Sequence, residues 1–305
     1  MLSNKVILVT GAASGLGRAT AARAAELGAT VVMNDLGTSP DGEGADESVL
    51  DEAVSEIASN GGDVTASFGD VTDPEYINDA IDEIIDEHGR LDGVVNYAGF
   101  LRDSMSFNMT QDEWEAVIDV HLSGHFNLIR AAGRQWRACY KEDELDTQRS
   151  FISVSSAAAR GSASQINYST AKAGVLGLTR TAARDLHQYN IRVNAMMPAA
   201  ITRGVKANVP DDILKSLTTD EERAGAQRVA PLPIALLSDE AEDLTGQTFA
   251  IGVDTVYLVS DPELKRKAIM KGGWSSEALV DTFDDLLDND ARSNTEPGGL
   301  LSRVL

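Results

Sequence analysis

The chain has 305 residues, 43% hydrophobic and 24% charged, with a formal net charge of −22. This is globular composition, and the length fits one α/β domain with an appendage, because single cores stop growing near about 250–300 residues. The negative field repels phosphate backbones and anionic membranes, no stretch approaches the ~18 apolar residues of a membrane span, and a lone Cys139 leaves no intrachain disulfide and fits a reducing cytoplasm.

Acids outnumber bases 48 to 26. Arg supplies most of the bases and Lys few. An acid-rich, Lys-poor surface suits concentrated salt, where screening relieves self-repulsion; an ordinary acidic cytosolic protein is the other reading.

Strand and helix alternate through the first 200 residues. Lys5–Thr10 is a continuous apolar run, as in a buried parallel strand. A small-residue helix over Arg18–Leu27 stops at Gly28, and Thr30–Asp35 is a second strand. A loop rich in Gly and acids, Gly37–Asp46, precedes a helix over Glu47–Ser59. Val64–Phe68 is the third strand. Asp73 and Pro74 read as N-cap and first residue of a helix to His88, closed by Gly89.

Leu91–Asn96 is the fourth strand. Thr110 and Glu113 form a capping box that opens one long helix to about Tyr140. Ser150–Ser155 is the fifth strand, Tyr168–Tyr189 a helix, and Ile191–Met197 the sixth strand. Loops and short helices fill 199–245, and Thr248–Ile251 with Thr255–Val259 adds final β structure. This alternation predicts an α/β fold, a doubly wound parallel sheet of Rossmann type with helices on both faces. Residues 1–261 are expected to form one domain, and residues 262–305 a polar extension that packs on it or on a neighbouring subunit.

Thr10-Gly11-Ala12-Ala13-Ser14-Gly15-Leu16-Gly17 joins the first strand to the first helix. Glycines there let the backbone approach a pyrophosphate, and the helix presents free N–H groups to it. The spacing is G-x-x-x-G-x-G, with no Gly-Lys-Ser/Thr of a triphosphate loop. Asp35 ends the second strand, where a carboxylate accepts hydrogen bonds from ribose hydroxyls and repels a 2′-phosphate. No base stands beside it, and Ser14 occupies the place of a phosphate-gripping Arg. These features favour NAD over NADP.

With Asp70-Val71, Asn96-Tyr97-Ala98-Gly99, Ser155, Tyr168-Ser-Thr-Ala-Lys172 and Asn194–Pro198 in order, the chain resembles the short-chain dehydrogenase/reductase family over about residues 3–260. The resemblance implies that Gly11, Ser14, Gly15, Leu16 and Gly17 hold the pyrophosphate and Asp35 the ribose. Asp70 and Val71 would hold the adenine, Asn96, Ala98 and Gly99 line the cofactor, and Pro198 and Ile201 face the carboxamide. Asn34–Gly37, Leu101–Asp103 and Val120–Phe126 resemble the branch of (3R)-hydroxyacyl-CoA dehydrogenases found in peroxisomal multifunctional enzyme type 2 and bacterial relatives.

Tyr168 and Lys172 stand one helical turn apart, on one face. A phenol titrates near 10, and an adjacent cation favours its anion, so Lys172 would make Tyr168 a base for alcohol oxidation and an acid for carbonyl reduction. Ser155 would hold the substrate oxygen, and Lys172 would also bond the nicotinamide ribose. Ser156 is its competitor; strand alternation turns one toward the site and the other away. His121 stands where many members of the family carry an Asn that relays protons to the lysine; relay and plain helix packing both fit it. His121 and His125 share the spacing of a metal pair but lack a nearby Glu and a third ligand, so no metal is expected. Tyr97 alters a cofactor wall, while Ala199, Thr202 and Arg203 leave the contacts of the following loop open.

The resemblance, with Asp35, implies an NAD-dependent oxidoreductase acting on a secondary alcohol or ketone, a 3-hydroxyacyl-CoA thioester being the leading substrate. An NADP-linked 3-oxoacyl reductase, a dehydrogenase of steroids or other hydrophobic alcohols, and a non-catalytic nicotinamide-sensing protein are the alternatives. A cytoplasmic homo-oligomer, dimer or tetramer, is also implied.

Overall fold

The computed structural model describes residues 1–200, 225–252 and 254–286. Eight strands form one sheet in the order β3-β2-β1-β4-β5-β6-β7-β8. They are β1 (Val6–Thr10), β2 (Thr30–Asp35), β3 (Asp63–Phe68), β4 (Gly93–Asn96), β5 (Arg149–Val154), β6 (Ile191–Pro198), β7 (Thr248–Ile251) and β8 (Val256–Val259). The first seven run parallel, as their apolar content requires, because helices cover both faces. The final strand, β8, pairs antiparallel with β7. The link from Gly252 to Thr255 is too short for a crossover helix and permits only a hairpin.

Helices α1 (Gly15–Glu26), α2 (Glu47–Ser59), α3 (Pro74–His88), α4 (Gln111–Ile118), α5 (Gly124–Lys141), α6 (Ile166–Leu186), α7 (Pro231–Leu237) and α8 (Ser276–Leu286) follow the chain. One core joins Ile7, Val9, Val31 and Val95 to Ala21 and Ala24 of α1, Leu50 of α2 and Ile234 of α7. The other joins Leu8, Val94 and Val193 to Ile81 of α3 and Leu128 and Trp136 of α5. The sheet is thus wound from β1 in both directions, and the carboxyl ends of β1 and β4 open the crevice between the two halves.

Three local differences bear on the site. The first helix begins at Gly15, three residues before the expected Arg18, so the glycine turn supplies its first turn. The single long helix expected after Thr110 is two helices, α4 and α5, joined by a π-helical turn over Asp119–Ser123. The helix carrying Tyr168 starts at Ile166, which places the phenol in its first turn. In the extension, residues 261–277 are exposed apart from a half-buried Ala268, and Leu264, Ile269, Val280 and Phe283 face solvent. No helix among the described residues is long and apolar enough to cross a membrane.

Candidate active site

The turn after β1 is built by close packing. Gly11 adopts φ 62° and Gly15 φ 56°, left-handed values that favour glycine. A Cβ on Gly11 would stand 2.8 Å from the Ala98 amide nitrogen, and one on Gly17 would strike the Gly11 carbonyl. Ser14, the N-cap of α1, makes no side-chain cap bond, so the amides of that turn keep their donors for an anion.

Asp35 closes on this turn from the end of β2. Its Oδ2 accepts from the Ala13 amide at 2.9 Å and its Oδ1 from the Gly37 amide at 2.8 Å. Its carboxylate is therefore held by the backbone at both ends, with acceptor capacity remaining on each oxygen. Asp70 caps the next loop by accepting from the Thr72 amide at 2.8 Å, and Val71 is buried beside it. Asn127, a residue the sequence reading did not single out, holds this loop by donating to the Val71 carbonyl at 3.0 Å.

Asn96 is buried at the end of β4. Its Oδ1 accepts from the Thr10 hydroxyl and, at 3.1 Å, from the Ala98 amide, while its Nδ2 is buried without a partner. The Tyr97 hydroxyl bonds Thr20 of α1 at 2.8 Å and reaches the Met196 sulfur, bolting α1 to the sheet. Burial pushes its phenol well above the usual range.

The acid–base residues meet across β5 and α6. Lys172 is 3% exposed, its Nζ donates to the Val154 carbonyl at 2.7 Å, and it stands 5.5 Å from the centroid of the Tyr168 ring. Burial pushes the Tyr168 phenol up, against the downward pull of a Ser156 hydrogen bond. Burial also pushes the Lys172 ammonium down to about 7. Both shifts favour the uncharged forms, the opposite of the simple expectation that Lys172 lowers the phenol, because the low dielectric penalises either charge alone.

The two serines divide differently from expectation. Ser155 is 1% exposed and donates to the Lys172 backbone carbonyl at 2.7 Å. Ser156 bonds the Tyr168 phenol. Strand β5 ends at Val154, so Ser155 is the last residue to follow the sheet, pairing its amide with Met196, and Ser156 turns out into the crevice. A shift of one residue at a strand end exchanges the two faces.

The short chain dehydrogenase family model matches residues 5–213. The chain belongs to the short-chain dehydrogenase family. It is 38% identical over 290 residues to the hydroxyacyl-CoA dehydrogenase ChsB1 of Mycobacterium tuberculosis, covering 93% of this chain and 89% of that one. It is 36% identical over 248 residues to peroxisomal multifunctional enzyme type 2 of Mus musculus, a match spanning 81% of this chain and 31% of that longer protein. It is 35% identical over 260 residues to the 3-oxoacyl-[acyl-carrier-protein] reductase FabG of Thermotoga maritima, covering 83% and 97%. A short chain dehydrogenase structure from Mycobacterium avium superposes with a TM-score of 0.82 at 33% identity, covering 93% of this chain and 95% of that one. The protein is thus an oxidoreductase of a family that uses a nicotinamide cofactor.

In this short-chain dehydrogenase the cofactor fits what is present. The glycine turn has no room for side chains, the α1 amides are uncapped, and two buried polar atoms, Asn96 Nδ2 and His121 Nδ1, lack protein partners. His121 lies edge-on to Tyr168 with ring centroids 5.0 Å apart, and its Nε2 donates to the Phe100 carbonyl at 2.8 Å. That bond leaves Nδ1 as a buried acceptor without a protein partner, on the side of the ring that meets Gly99. Burial holds the imidazole neutral, its pKa well below the usual value.

Asn167, also missed in sequence, orients the phenol. Its Nδ2 donates to the Arg102 and Glu113 carbonyls at 2.9 and 3.1 Å, and its Oδ1 accepts from the Tyr168 amide at 2.7 Å. Arg102 in turn pairs with Glu43 and donates to the Asp41 carbonyl, drawing the acidic loop after β2 toward the loop after β4. Pro198 ends β6, whereas Ile201, Thr202 and Arg203 lie outside the described residues.

Proposed function

We propose that this enzyme is an NAD-dependent dehydrogenase of 3-hydroxyacyl-CoA thioesters, interconverting the secondary alcohol and the 3-oxo form. The observation that carries the reading is Asp35, whose carboxylate is locked onto the phosphate turn by the Ala13 and Gly37 amides. Fixed negative charge at that point rejects a 2′-phosphate and suits a ribose with two free hydroxyls. The substrate class rests on likeness to the hydroxyacyl-CoA dehydrogenase ChsB1 and to multifunctional enzyme type 2. Likeness to a 3-oxoacyl-[acyl-carrier-protein] reductase keeps the NADP-linked reductase as the second reading.

Gly11, Ser14, Gly15, Leu16 and Gly17 would hold the pyrophosphate, Asp35 the adenosine ribose, Asp70 and Val71 the adenine. Asn96, Ala98, Gly99 and Pro198 would line the nicotinamide half; Ile201, expected to face the carboxamide, lies outside the described residues. The nicotinamide, when bound, supplies the hydride acceptor or donor. The protein positions and moves a proton. Tyr168 takes the proton from the substrate hydroxyl in oxidation and returns it in reduction. Ser156, next to the phenol, orients the substrate oxygen in place of Ser155; Ser155 steadies the Lys172 backbone.

Phenolate and ammonium form together, so the buried site gains a dipole and no net charge as Lys172 receives the proton Tyr168 sheds. His121 Nδ1 is the next acceptor, which makes His121 a relay. The exposed apolar side chains of β8 and the extension, Val256, Leu258, Leu264 and Phe283 among them, support burial against a second copy. Size-exclusion chromatography with light scattering tests this.

The experiment for the function is NADH formation over 3-hydroxyacyl-CoA, steroid and simple alcohol panels, with NADP in parallel. Highest kcat/KM for the thioester with NAD supports the proposal. Faster NADPH-linked reduction of 3-oxoacyl carriers would replace it with the second reading.

A further inference from the structure

His125 takes no part in the chemistry above, yet it is 0% exposed and touches both arms of the site. Its Nδ1 donates to the His121 carbonyl at 2.6 Å. Its Nε2 accepts from the Val154 amide at 3.2 Å. The two partners set the tautomer: the proton sits on Nδ1 and the lone pair on Nε2.

The reason for this clamp lies in the sheet. Strand β4 ends at Asn96, opposite Ser153, so Val154 one residue further has no β4 partner. Its carbonyl would be left without a strand donor in the crevice. His125 satisfies the amide, and Lys172 satisfies the carbonyl at 2.7 Å. On the other side, the π-helical turn over Asp119–Ser123 loosens the helical ladder, and His125 reaches back to the His121 carbonyl within it. A continuous chain of bonds therefore runs from the Phe100 carbonyl through His121, His125, Val154 and Lys172 to Ser155.

We propose that His125 is a positioning residue for the acid–base pair, fixing where Lys172 and His121 stand relative to Tyr168 through the backbone groups of Val154 and His121. The inference rests on the proposed role of Tyr168 and Lys172. It also explains a histidine pair at i, i+4 that holds no metal-ligand geometry: both His125 nitrogens are taken by backbone. The ionisable groups facing the His125 ring are Lys172 and His121.

Two substitutions split the clamp. In His125→Asn the amide nitrogen stands near the place of Nδ1 and keeps the His121 half. In His125→Gln the amide oxygen stands near Nε2 and keeps the Val154 half, on which Lys172 hangs. The readouts are the tyrosinate absorbance of Tyr168, taken as parent minus Tyr168→Phe in the full chain without added cofactor, NADH affinity by fluorescence, and kcat with its pH profile.

His125→Asn should raise the Tyr168 titration by about one pH unit and lower kcat about tenfold, with NADH affinity within about twofold of the parent. His125→Gln should restore both to within about threefold. A folded His125→Asn with the parent titration and kcat overturns the proposal, as does an equal loss in both variants accompanied by weakened NADH binding. Should neither variant fold, nitrogen NMR of the parent decides: a neutral Nδ1–H tautomer held between about pH 5 and 9 supports the clamp, and an Nε2–H tautomer overturns it. If no substrate in the panel turns over, the tyrosinate and NMR readouts still stand, so failure of the functional reading is separate from failure of this one.

Discussion

The imidazole of His121 occupies the space that a side chain on Gly99 would need. A Cβ on Gly99 would press into the ring at Cε1, with Nδ1 2.6 Å away. The glycine after Asn96-Tyr97-Ala98 is thus required by a histidine on the neighbouring helical turn, and that histidine is edge-on to Tyr168. Gly99→Ala should displace the ring and lower kcat about tenfold or more, an overpacking effect. In Gly99→Ala/His121→Ala the clash is gone, and the second substitution should cost less than it does alone. Steady-state kinetics over the four proteins checks this; additive losses would show that the ring does not meet residue 99.

The pH profile follows from the buried pair. With both groups protonated, no base is available for alcohol oxidation. Lys172 is depressed to about 7, so the pair sheds its first proton there. Oxidation should rise as pH increases toward about 7 and level above it. Lys172→Met removes the acceptor and should move that rise to higher pH, with kcat lower by about a hundredfold or more.

Asp35→Asn keeps the shape of the carboxylate and removes its charge. The KM for NAD should rise about tenfold, and the preference over NADP should shrink by a similar factor, because the repulsion of a 2′-phosphate goes with the charge. Initial rates with both cofactors measure it. An unchanged ratio would mean that Asp35 only holds the turn.

Much of this architecture could be read directly. The continuous apolar runs at β1 and β6, the Asp73-Pro74 start and the Thr110/Glu113 capping box mark elements by local chemistry alone, and the structure keeps each of them. The break in the helix at Asp119–Ser123 was not readable, because it depends on His121 and His125 finding backbone partners far along the chain. The Ser155 and Ser156 roles turn on where β5 ends, a boundary set by pairing with β6 and not by the serines themselves. Asn127 and Asn167 carried no signal, since an Asn inside a helix looks the same whether it faces water or a loop carbonyl.

Buried histidines also make stability depend on pH. Burial pushes the folded His125 imidazole down to about 3, while an unfolded imidazole titrates near 6.5. Between those values the unfolded chain binds a proton that the folded one does not. Stability is therefore lost as pH falls below about 6.5, by up to about 1.4 kcal/mol per pH unit for each such ring. His121, also depressed, acts in the same direction. Urea midpoints at pH 7 and 5 should fall further for the parent than for His125→Gln.

The acid-rich surface makes a further expectation concrete. If the −22 charge is adapted to concentrated salt, the melting temperature should rise from low to molar KCl. A higher melting temperature at low salt would identify an ordinary acidic protein.

The phenol of Tyr168 is the group on which the chemistry converges, and Tyr168→Phe removes only its oxygen. Turnover of the best substrate should fall by about a thousandfold, with NADH affinity and melting temperature close to those of the parent. Turnover within a few-fold of the parent would contradict the account.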